Sequence, residues 1–375
     1  MHSRILLVAV LVVLASLLPV AAHAGNGAGA DRYIVVLKDA VDPAAVADIH
    51  AKKYGASVDH VWGYALHGYS AVIPNDRVAS VRGDANVSYM VADGDVSIDA
   101  QTLPWGIDKI DADRSSTLAG NGGGVVAGNA YVVDTGIDVT HSDLNVIDSV
   151  NFAGGQNNDC NGHGTHVAGT IGAKDHANGV VGVAPGIPLH AVKVLRCNGS
   201  GSWSSVISGI DYVAQNAPKD SVANMSLGGS QNTAVDDAVK NAVGSGLFFA
   251  VAAGNDGALA CGHSPAAAGT TNGVATVAAT DSGDNEASWS NYGSCVDIWA
   301  PGVSVYSTYK NGGYATLSGT SMATPHVAGG AALYLSTHAG ASPSSVESAL
   351  KGAAVNTGKR SKDGRTITRE YVGGF

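Results

Sequence analysis

Short apolar runs alternate with helical stretches through the part of the chain that follows Pro104. The run at residues 131–134 is rich in β-branched residues and ends in a carboxylate, and the run at 247–253 is apolar throughout. Both are typical of buried strands. Strands that alternate with helices favour a mainly parallel, doubly wound sheet, which carries its functional residues at the carboxyl ends of its strands. The sequence therefore predicts an α/β domain of about 275 residues, which is large enough to bury a single core.

Three residue types that cooperate in nucleophilic catalysis occur in separate motifs. Ser321 lies between small residues, directly before an alanine-rich segment that is typical of a helix. His163 lies between glycines at the predicted start of another helix, and Asp134 ends a predicted strand. A serine hydroxyl needs a base, and a histidine base needs a carboxylate that fixes its tautomer. The order acid, histidine, serine is one of three in which such triads recur on unrelated folds.

The chain resembles the subtilases, and among them the proteinase K and aqualysin group, in five motifs that occur in the family's order. The motifs are residues 131–138, 161–170, 223–229, 251–255 and 318–329. The resemblance covers the region from about Pro104 to about Gly352, and a weaker one extends over the preceding segment. It implies a secreted serine endopeptidase with a subtilisin-like, mainly parallel sheet flanked by helices. It assigns Asp134, His163 and Ser321 to the triad, and Asn255 to the oxyanion hole.

A second histidine, His166, lies one helical turn after His163 and would share its face of the helix. The motif match favours His163 as the base and indicates a packed or hydrogen-bonded role for His166. The segment lacks the glutamate and the spacing of a zinc-protease motif, so no catalytic metal is expected.

The resemblance also implies two strands that bind an extended polypeptide substrate. Glycines there leave room for another backbone, which pairs through main-chain hydrogen bonds while pockets select alternate side chains. The primary pocket is expected to be an apolar slot without a counter-charge that accepts aromatic and larger aliphatic side chains, so specificity is expected to be broad. Trp203 either lies beside a pocket further along the peptide or caps a loop. The expected substrate-binding residues are Gly199, Gly201, Trp203, Ser226, Leu227, Gly228, Ala252, Ala253 and Gly254.

The chain has four cysteines, and an even number in an exported protein indicates disulfide bonds. Their spacing alone allows three pairings. The resemblance selects Cys160 with Cys197 and Cys261 with Cys295.

The resemblance further implies a structural, non-catalytic calcium ion near the second of these bridges. Hard oxygen ligands suit calcium. The expected ligands are one carboxylate and two backbone carbonyls, those of Asp297, Asn272 and Val274. Asp108 and Asp111 match part of another family calcium site, but Ala112 stands where a ligand is expected.

The first residues are typical of a secretory signal peptide. Arg4 precedes an apolar run over residues 5–20, and small residues around Ala24 suit signal peptidase. Pro19 and this cleavage site argue against a membrane anchor. We therefore expect residues 1–24 to be removed and the product to be extracellular.

Residues 25–100 predict a small α+β domain, with strands at 33–37 and 68–73 and helices at 43–54 and 75–82. This segment resembles the ferredoxin-like inhibitory propeptide of subtilases, which assists folding and fills the active-site cleft until it is cut. The resemblance implies a self-processing zymogen that is cut within residues 99–102, with residues 101–375 as the peptidase domain. An ordinary accessory domain is the alternative.

Composition bears on partners and rival functions. Only 14% of residues are charged, the formal net charge is −10, and the catalytic region has no basic cluster, which disfavours nucleic-acid binding. A monomer is expected. A secreted esterase is disfavoured because Ser321 lacks the Gly-x-Ser-x-Gly elbow. A homologue that binds peptides without cutting them would be expected to have lost a triad residue or Asn255.

The C-terminal segment departs from the family pattern. Residues 359–365 and the tail to Phe375 do not match the family's closing segment. A loose tail, a site that is trimmed after secretion and a divergent edge strand all remain open.

Overall fold

The computed structural model describes residues 30–93 and 101–375. The chain divides into two compact units between Ser97 and Ile98. The expected signal peptide lies outside the described residues, as do residues 99 and 100 of the expected cleavage segment. Among the described residues, no helix is long and apolar enough to cross a membrane.

The first unit has the element order βαββαβ. Its strands are β1 (Ala30–Leu37), β2 (Ser57–Trp62), β3 (Gly68–Pro74) and β4 (Val87–Ala92), and its helices are α1 (Pro43–Tyr54) and α2 (Val78–Arg82). The strands form an antiparallel sheet in the order β2-β3-β1-β4, which is a ferredoxin-like arrangement. Val35, Tyr69 and Ile73 of the sheet pack with Val46 and Val81 of the helices. This cluster is the core of the unit.

The second unit is built on a nine-stranded sheet. Its order is β16-β17-β13-β12-β10-β8-β5-β7-β6, and every neighbouring pair except β16 and β17 is parallel. The strands of this sheet are β5 (Asn129–Asp134), β6 (Val146–Asn151), β7 (Leu189–Lys193), β8 (Ser221–Met225), β10 (Phe248–Ala252), β12 (Val274–Thr280), β13 (Ile298–Pro301), β16 (Val355–Arg360) and β17 (Thr366–Arg369). Outside it, β9 (Gly229–Ser230) pairs with β11 (His263–Ser264), and β14 (Val305–Tyr309) pairs with β15 (Gly313–Leu317). The α/β class and the mainly parallel sheet that the sequence predicts are confirmed.

Helices cover both faces of this sheet. They are α3 (Trp105–Lys109), α4 (His163–Gly172), α5 (Trp203–Asn216), α6 (Thr233–Val243), α7 (Thr320–Thr337) and α8 (Pro343–Ala353), with 3-10 turns at Ala112–Arg114, Ala260–Gly262 and Ala266–Thr270. Successive strand residues point to opposite faces. Ala130 and Val132 of β5 therefore pack into one core with α4 and α7, while Tyr131 and Val133 pack into a second core with α5 and α6.

Helix α4 packs closely against the carboxyl end of β5 because its first turn contains a glycine. A Cβ atom at Gly164 would lie 2.1 Å from the carbonyl oxygen of Gly136 and 3.2 Å from Oδ1 of Asp134. Any larger side chain would push the start of α4 away from Asp134. The glycine thus fixes how near His163, the first residue of α4, comes to the strand end.

The C-terminal segment forms the edge of the sheet. Strands β16 and β17 form an antiparallel pair, and β17 lies beside β13. In the turn between them, the guanidinium of Arg365 donates to the carbonyls of Gly293 (2.6 Å) and Val296 (2.9 Å). The divergent edge strand is therefore the alternative that the structure shows.

Candidate active site

Asp134 and His163 meet at the carboxyl end of β5. The strand order reverses around β5, because β7 and β6 lie on one side of it and β8, β10 and β12 lie on the other, and ligands of open α/β sheets bind at such a switch point. The side chain of Asp134 is fully buried, and Nδ1 of His163 lies 2.8 Å from its Oδ1 and 3.0 Å from its Oδ2. An N–H on Nδ1 donates to the carboxylate, so Nε2 is the nitrogen left to act as a base.

The charge around His163 favours its protonated form. Burial works to lower the pKa of His163, but the neighbouring Asp134 carboxylate, its hydrogen bond and the charge of Asp159 raise it, and the net pKa lies above its usual value. An imidazolium formed during a reaction is therefore stabilised at this position.

Ser321 is the second residue of α7, after Thr320. The N–H groups of a helix's first turn have no partner within the helix, so the backbone N–H of Ser321 can donate to an anion. Its hydroxyl donates to the carbonyl of Ser226 at 3.0 Å. In the described part of the chain, Ser321 and His163 are not hydrogen-bonded to each other; such bonds often tighten only when a substrate is present.

Asn255 follows β10 and is oriented by the start of α7. Its Oδ1 accepts hydrogen bonds from the backbone N–H (2.9 Å) and the hydroxyl (3.0 Å) of Thr320. Since the amide oxygen is engaged, the amide nitrogen is the group left to donate elsewhere. Asn255 and Ser321 line the same cavity.

His166 lies inside the protein, on the side of α4 that packs against β14 and β15. Its Nε2 donates to the carbonyls of Val305 (3.0 Å) and Ala315 (3.1 Å). Burial lowers its pKa to about 4, so it is neutral at neutral pH. This is the packed, hydrogen-bonded arrangement that the motif match indicates.

Three neighbouring cavities share Leu227 in their walls and contain all the expected substrate-binding residues. A cavity of 260 Å³ is lined by Ala252, Ala253, Gly254 and Gly228 together with Ser321. A second, of 460 Å³, is lined by Gly199, Gly201, Trp203 and Gly228, and Trp203 is the first residue of α5. A third, of 170 Å³, is lined by Ser226, Gly199 and His163.

The first cavity corrects one expectation from the sequence. Asp256 and His263 also line it, so it is not an apolar slot without charge. Nε2 of His263 lies 3.2 Å from Oδ2 of Asp256, whose side chain is 65% exposed. Asp256 could have been found from the sequence, since it directly follows Asn255. No motif in the sequence points to His263. It lies eight residues after Asn255, and β11 and its neighbouring turns bring it to the cavity.

The two disulfide bonds join the pairs that the resemblance implies. They link Cys160 with Cys197 and Cys261 with Cys295, with Cα atoms 5.0 and 5.3 Å apart. The first connects the loop before His163 to the loop that carries the expected substrate-binding glycines, and Asn161 Nδ2 adds a hydrogen bond to the Cys197 carbonyl at 3.0 Å.

The carboxylate expected to bind calcium is engaged by protein groups. Oδ1 of Asp297 lies 2.9 Å from the ammonium of Lys351, and its Oδ2 accepts the backbone N–H of Thr276 at 3.0 Å. The same ammonium lies 3.0 Å from Glu347, whose other oxygen accepts the N–H of Gly273, between Asn272 and Val274, at 2.6 Å. A cation therefore already neutralises Asp297, so these residues as arranged do not fit a calcium ion.

The chain is similar to a known protein family, to curated relatives and to a solved structure. The subtilase family model matches residues 130–373. An extracellular serine proteinase of Thermus sp. (strain Rt41A) is 48% identical over 79% of this chain and 73% of its own length. Alkaline serine exoprotease A of Vibrio alginolyticus is 43% identical over 88% of this chain, which spans 65% of that protein.

A solved structure of a cold adapted subtilisin-like serine proteinase is 45% identical. It covers 72% of this chain and 97% of its own, with a TM-score of 0.63. The family match covers well over half of the chain, and the solved structure shares its subtilisin-like fold. The chain belongs to the subtilase family and is a hydrolase of the serine-proteinase class.

Proposed function

We propose that this chain is an exported serine endopeptidase that cuts polypeptides with Asp134, His163 and Ser321 as its triad and Asn255 in its oxyanion hole. The observation that carries the proposal is the contact between the buried Asp134 carboxylate and Nδ1 of His163 at 2.8 and 3.0 Å. It leaves Nε2 as a base in the cavity that Ser226 also lines.

The proposed reaction begins when the Ser321 hydroxyl rotates away from the Ser226 carbonyl and gives its proton to Nε2 of His163. Oγ attacks the peptide carbonyl, and the imidazolium that forms is stabilised by Asp134. The oxyanion accepts hydrogen bonds from the N–H of Ser321 and the amide of Asn255. His163 then protonates the leaving amine. In the second half of the reaction, His163 takes a proton from water, which attacks the acyl-enzyme, and then returns that proton to Oγ of Ser321 as the acid product leaves.

Specificity follows from the cavity lined by Ala252, Ala253 and Gly254. We propose that its small apolar walls accept aromatic and larger aliphatic side chains before the scissile bond, and that the glycine-containing walls of the neighbouring cavities admit many sequences. Asp256 adds a negative charge to this cavity. It should therefore also accept a long side chain with a cationic end, which the sequence alone did not suggest.

Maturation is proposed to involve a signal peptide over residues 1–24 and an inhibitory propeptide over 25–100. The backbone N–H of Gln101 donates to the carbonyl of Ala177 at 2.9 Å, and Thr102 pairs with Val180. A cut just before Gln101 would leave these contacts intact in the peptidase domain, 101–375. Export agrees with the relative that is named extracellular.

Calcium and assembly complete the proposal. Subtilases commonly bind calcium. A structural calcium ion therefore remains part of the proposal, but it is not placed at Asp297, because Lys351 already pairs with that carboxylate. The protein is proposed to act as a monomer on polypeptide substrates.

The test is to express the full chain with export, as wild type and as Ser321→Ala, and to measure intact mass and casein hydrolysis. Ser208→Ala is the matched control, since Ser208 is an exposed serine on α5. The proposal expects an active product that begins near Gln101 from wild type and Ser208→Ala, and an inactive, uncut Ser321→Ala chain. Equal activity in all three would refute the nucleophile, and an inactive wild type would indicate a protein that binds peptides without cutting them.

A further inference from the structure

Asp159 lies in the loop between β6 and α4 and is 2% exposed. Its carboxylate accepts hydrogen bonds from five donors. They are the Thr135 hydroxyl (3.0 Å), the backbone N–H groups of Asn161 (2.9 Å), Gly162 (2.8 Å) and Thr165 (3.0 Å), and the Thr165 hydroxyl (2.6 Å). The sequence did not single this residue out.

These bonds enclose His163 on both sides along the chain. Asp159 holds Gly162, directly before the histidine, and Thr165, two residues after it. Thr135 holds the residue between them, because its hydroxyl oxygen accepts the N–H of Gly164 at 2.9 Å. The backbone that carries the imidazole is therefore fixed at each neighbouring position.

The Asp159 carboxylate is also linked, through Thr135, to Asp134. Thr135, which donates to Asp159, directly follows Asp134 and donates its backbone N–H to Oδ1 of Asp134 at 2.6 Å. The buried ammonium of Lys193 donates to the Thr135 carbonyl. Asp159 thus joins the end of β5 to the start of α4, the two segments whose separation sets the distance between Asp134 and His163.

Charge adds to this geometry. A carboxylate near a helix N-terminus is stabilised by the partial positive charge of the helix. Its negative charge is also one of the groups that raise the pKa of His163.

Another buried acid, Asp175, stabilises a loop without contacting the candidate triad. Asp175 accepts the backbone N–H groups of Gly120 (3.0 Å), Gly122 (2.9 Å) and Gly124 (3.3 Å). These bonds hold a glycine loop and involve no residue of the candidate triad. Asp175 therefore supplies a matched control for a carboxylate that only stabilises a loop.

We propose that Asp159 is a positioning residue for His163, which locks the imidazole against Asp134 and supports the imidazolium that forms when Ser321 gives up its proton. The proposal rests on the triad of the proposed function. Because Asp159 lines none of the three cavities, the proposal predicts that its loss affects kcat rather than KM.

The experiment compares matured wild type, Asp159→Asn and Asp175→Asn by kcat, KM and the pH profile of kcat/KM on a peptide substrate. Asp159→Asn removes a negative charge that favours the imidazolium, so the acidic limb of its profile should shift to lower pH. Its kcat should fall by about tenfold to a hundredfold, with KM little changed, because small displacements of catalytic groups are that costly. Asp175→Asn should lose thermal stability and keep both the limb and kcat.

The role of Asp159 is refuted if Asp159→Asn loses stability but keeps the wild-type acidic limb and kcat. If Asp159→Asn does not fold, Thr135→Val still tests the linkage, because it removes the hydroxyl and keeps both carboxylates. It should lower kcat and leave the limb in place, and an unchanged kcat would overturn the proposal. Ser321→Ala separates the two proposals, because residual activity there refutes the triad itself.

Discussion

Ser226 and Ser321 are hydrogen-bonded to each other in both directions. The hydroxyl of Ser321 donates to the Ser226 carbonyl (3.0 Å), and the hydroxyl of Ser226 donates to the Ser321 carbonyl (2.8 Å). The Ser321 carbonyl is free to accept because the residue four positions later in α7 is Pro325, which has no N–H to offer it. A proline in the second turn of the helix thus lets the segment that follows β8 fix the candidate nucleophile.

This relationship predicts that Ser226→Ala disturbs both stability and catalysis. The change leaves the Ser321 carbonyl without its donor, which should cost about 0.5–1.5 kcal/mol of unfolding free energy. The backbone of Ser321, including the N–H proposed for the oxyanion hole, is then held less firmly. We therefore expect kcat to fall several-fold. Urea denaturation in the Ser321→Ala background, where no variant can digest itself, measures the first effect, and steady-state kinetics of the single variant measure the second.

Ser208→Ala is again the control for this change. Its hydroxyl is exposed and donates to the Ser204 carbonyl within α5. It should change neither quantity measurably. A Ser226→Ala enzyme that behaves like Ser208→Ala would show that the reciprocal bond has no part in holding Ser321.

The parts of the fold that the sequence predicts well are those whose signal is local. The buried run that forms β5 and the capped helix α1 both follow from contiguous residues, and the helix matches the predicted bounds, Pro43–Tyr54. In the first unit, β2 and β4 were not predicted. Most residues of both strands are exposed, and β2 mixes polar and apolar residues. Residues 89–92 of β4 are all apolar, so that strand had a local signal that the prediction missed. Helix α2 begins at Val78 because a turn occupies residues 75–77.

The candidate site shows the same division. Asp134, His163 and Ser321 stand in motifs that can be recognised one at a time. The contact between Asp159 and Thr135 joins residues 24 positions apart, and Lys351 pairs with an acid 54 residues away. Only the folded chain brings these groups together, so neither of these two contacts has a signature in the sequence.

A second prediction concerns the charge in the cavity that Asp256 lines. Asp256→Asn should lower kcat/KM for peptides with lysine before the scissile bond, relative to peptides with leucine there. The carboxylate is largely exposed, so the effect should be at most about 1 kcal/mol, or roughly fivefold. A two-substrate competition assay measures the ratio directly.

Asp237→Asn makes the same change of charge on α6, at an acid that lines none of the three cavities. It should leave the lysine-to-leucine ratio as in wild type. An equal shift in both variants would assign the effect to the net charge of the protein rather than to the cavity.

A third prediction concerns the ion pair at Asp297. Lys351→Met leaves a mostly buried carboxylate without its cation, which should cost roughly 1–3 kcal/mol once the partial exposure of the lysine is allowed for. Calcium should restore part of this loss, because Oδ1 of Asp297 and Oε1 of Glu347, which Lys351 contacts in the parent, would then be free to bind it. Calorimetric Tm values in EDTA and in calcium, in the Ser321→Ala background, measure both effects.

Two further variants complete this comparison. Lys240→Met removes a half-buried lysine from α6, whose partner Asp237 lies 3.6 Å away, and should change little because Asp237 is exposed. Asp297→Asn alone should leave the calcium response of the parent protein intact. A parent response that disappears in Asp297→Asn would place the ion at Asp297 and contradict the assignment of that position to Lys351.

The last prediction concerns Glu370, which directly follows β17 and is completely buried. Neither of its carboxylate oxygens has a hydrogen-bond partner among the described residues. Burial raises its pKa well above the usual 4.5, although the charge of Arg369 opposes the shift. The folded protein therefore holds this proton to higher pH than the unfolded chain does. Below pH 4.5 Glu370 is protonated in both states, so its ionisation does not lower the free energy of unfolding. As pH rises from there towards the folded-state pKa, the free energy of unfolding falls progressively.

Glu370→Gln should consequently gain stability relative to the parent as pH rises, by up to about 1.4 kcal/mol per pH unit across that window. Urea midpoints measured from acid to alkaline pH in the Ser321→Ala background test this. Glu286→Gln is the contrasting control. The side chain of Glu286 is also buried, but it accepts hydrogen bonds from Trp299 and Ser361, both at 2.8 Å, so this variant should lose stability at neutral pH. Parallel pH curves for Glu370→Gln and the parent would mean that Glu370 ionises in the folded protein as it does in the unfolded chain.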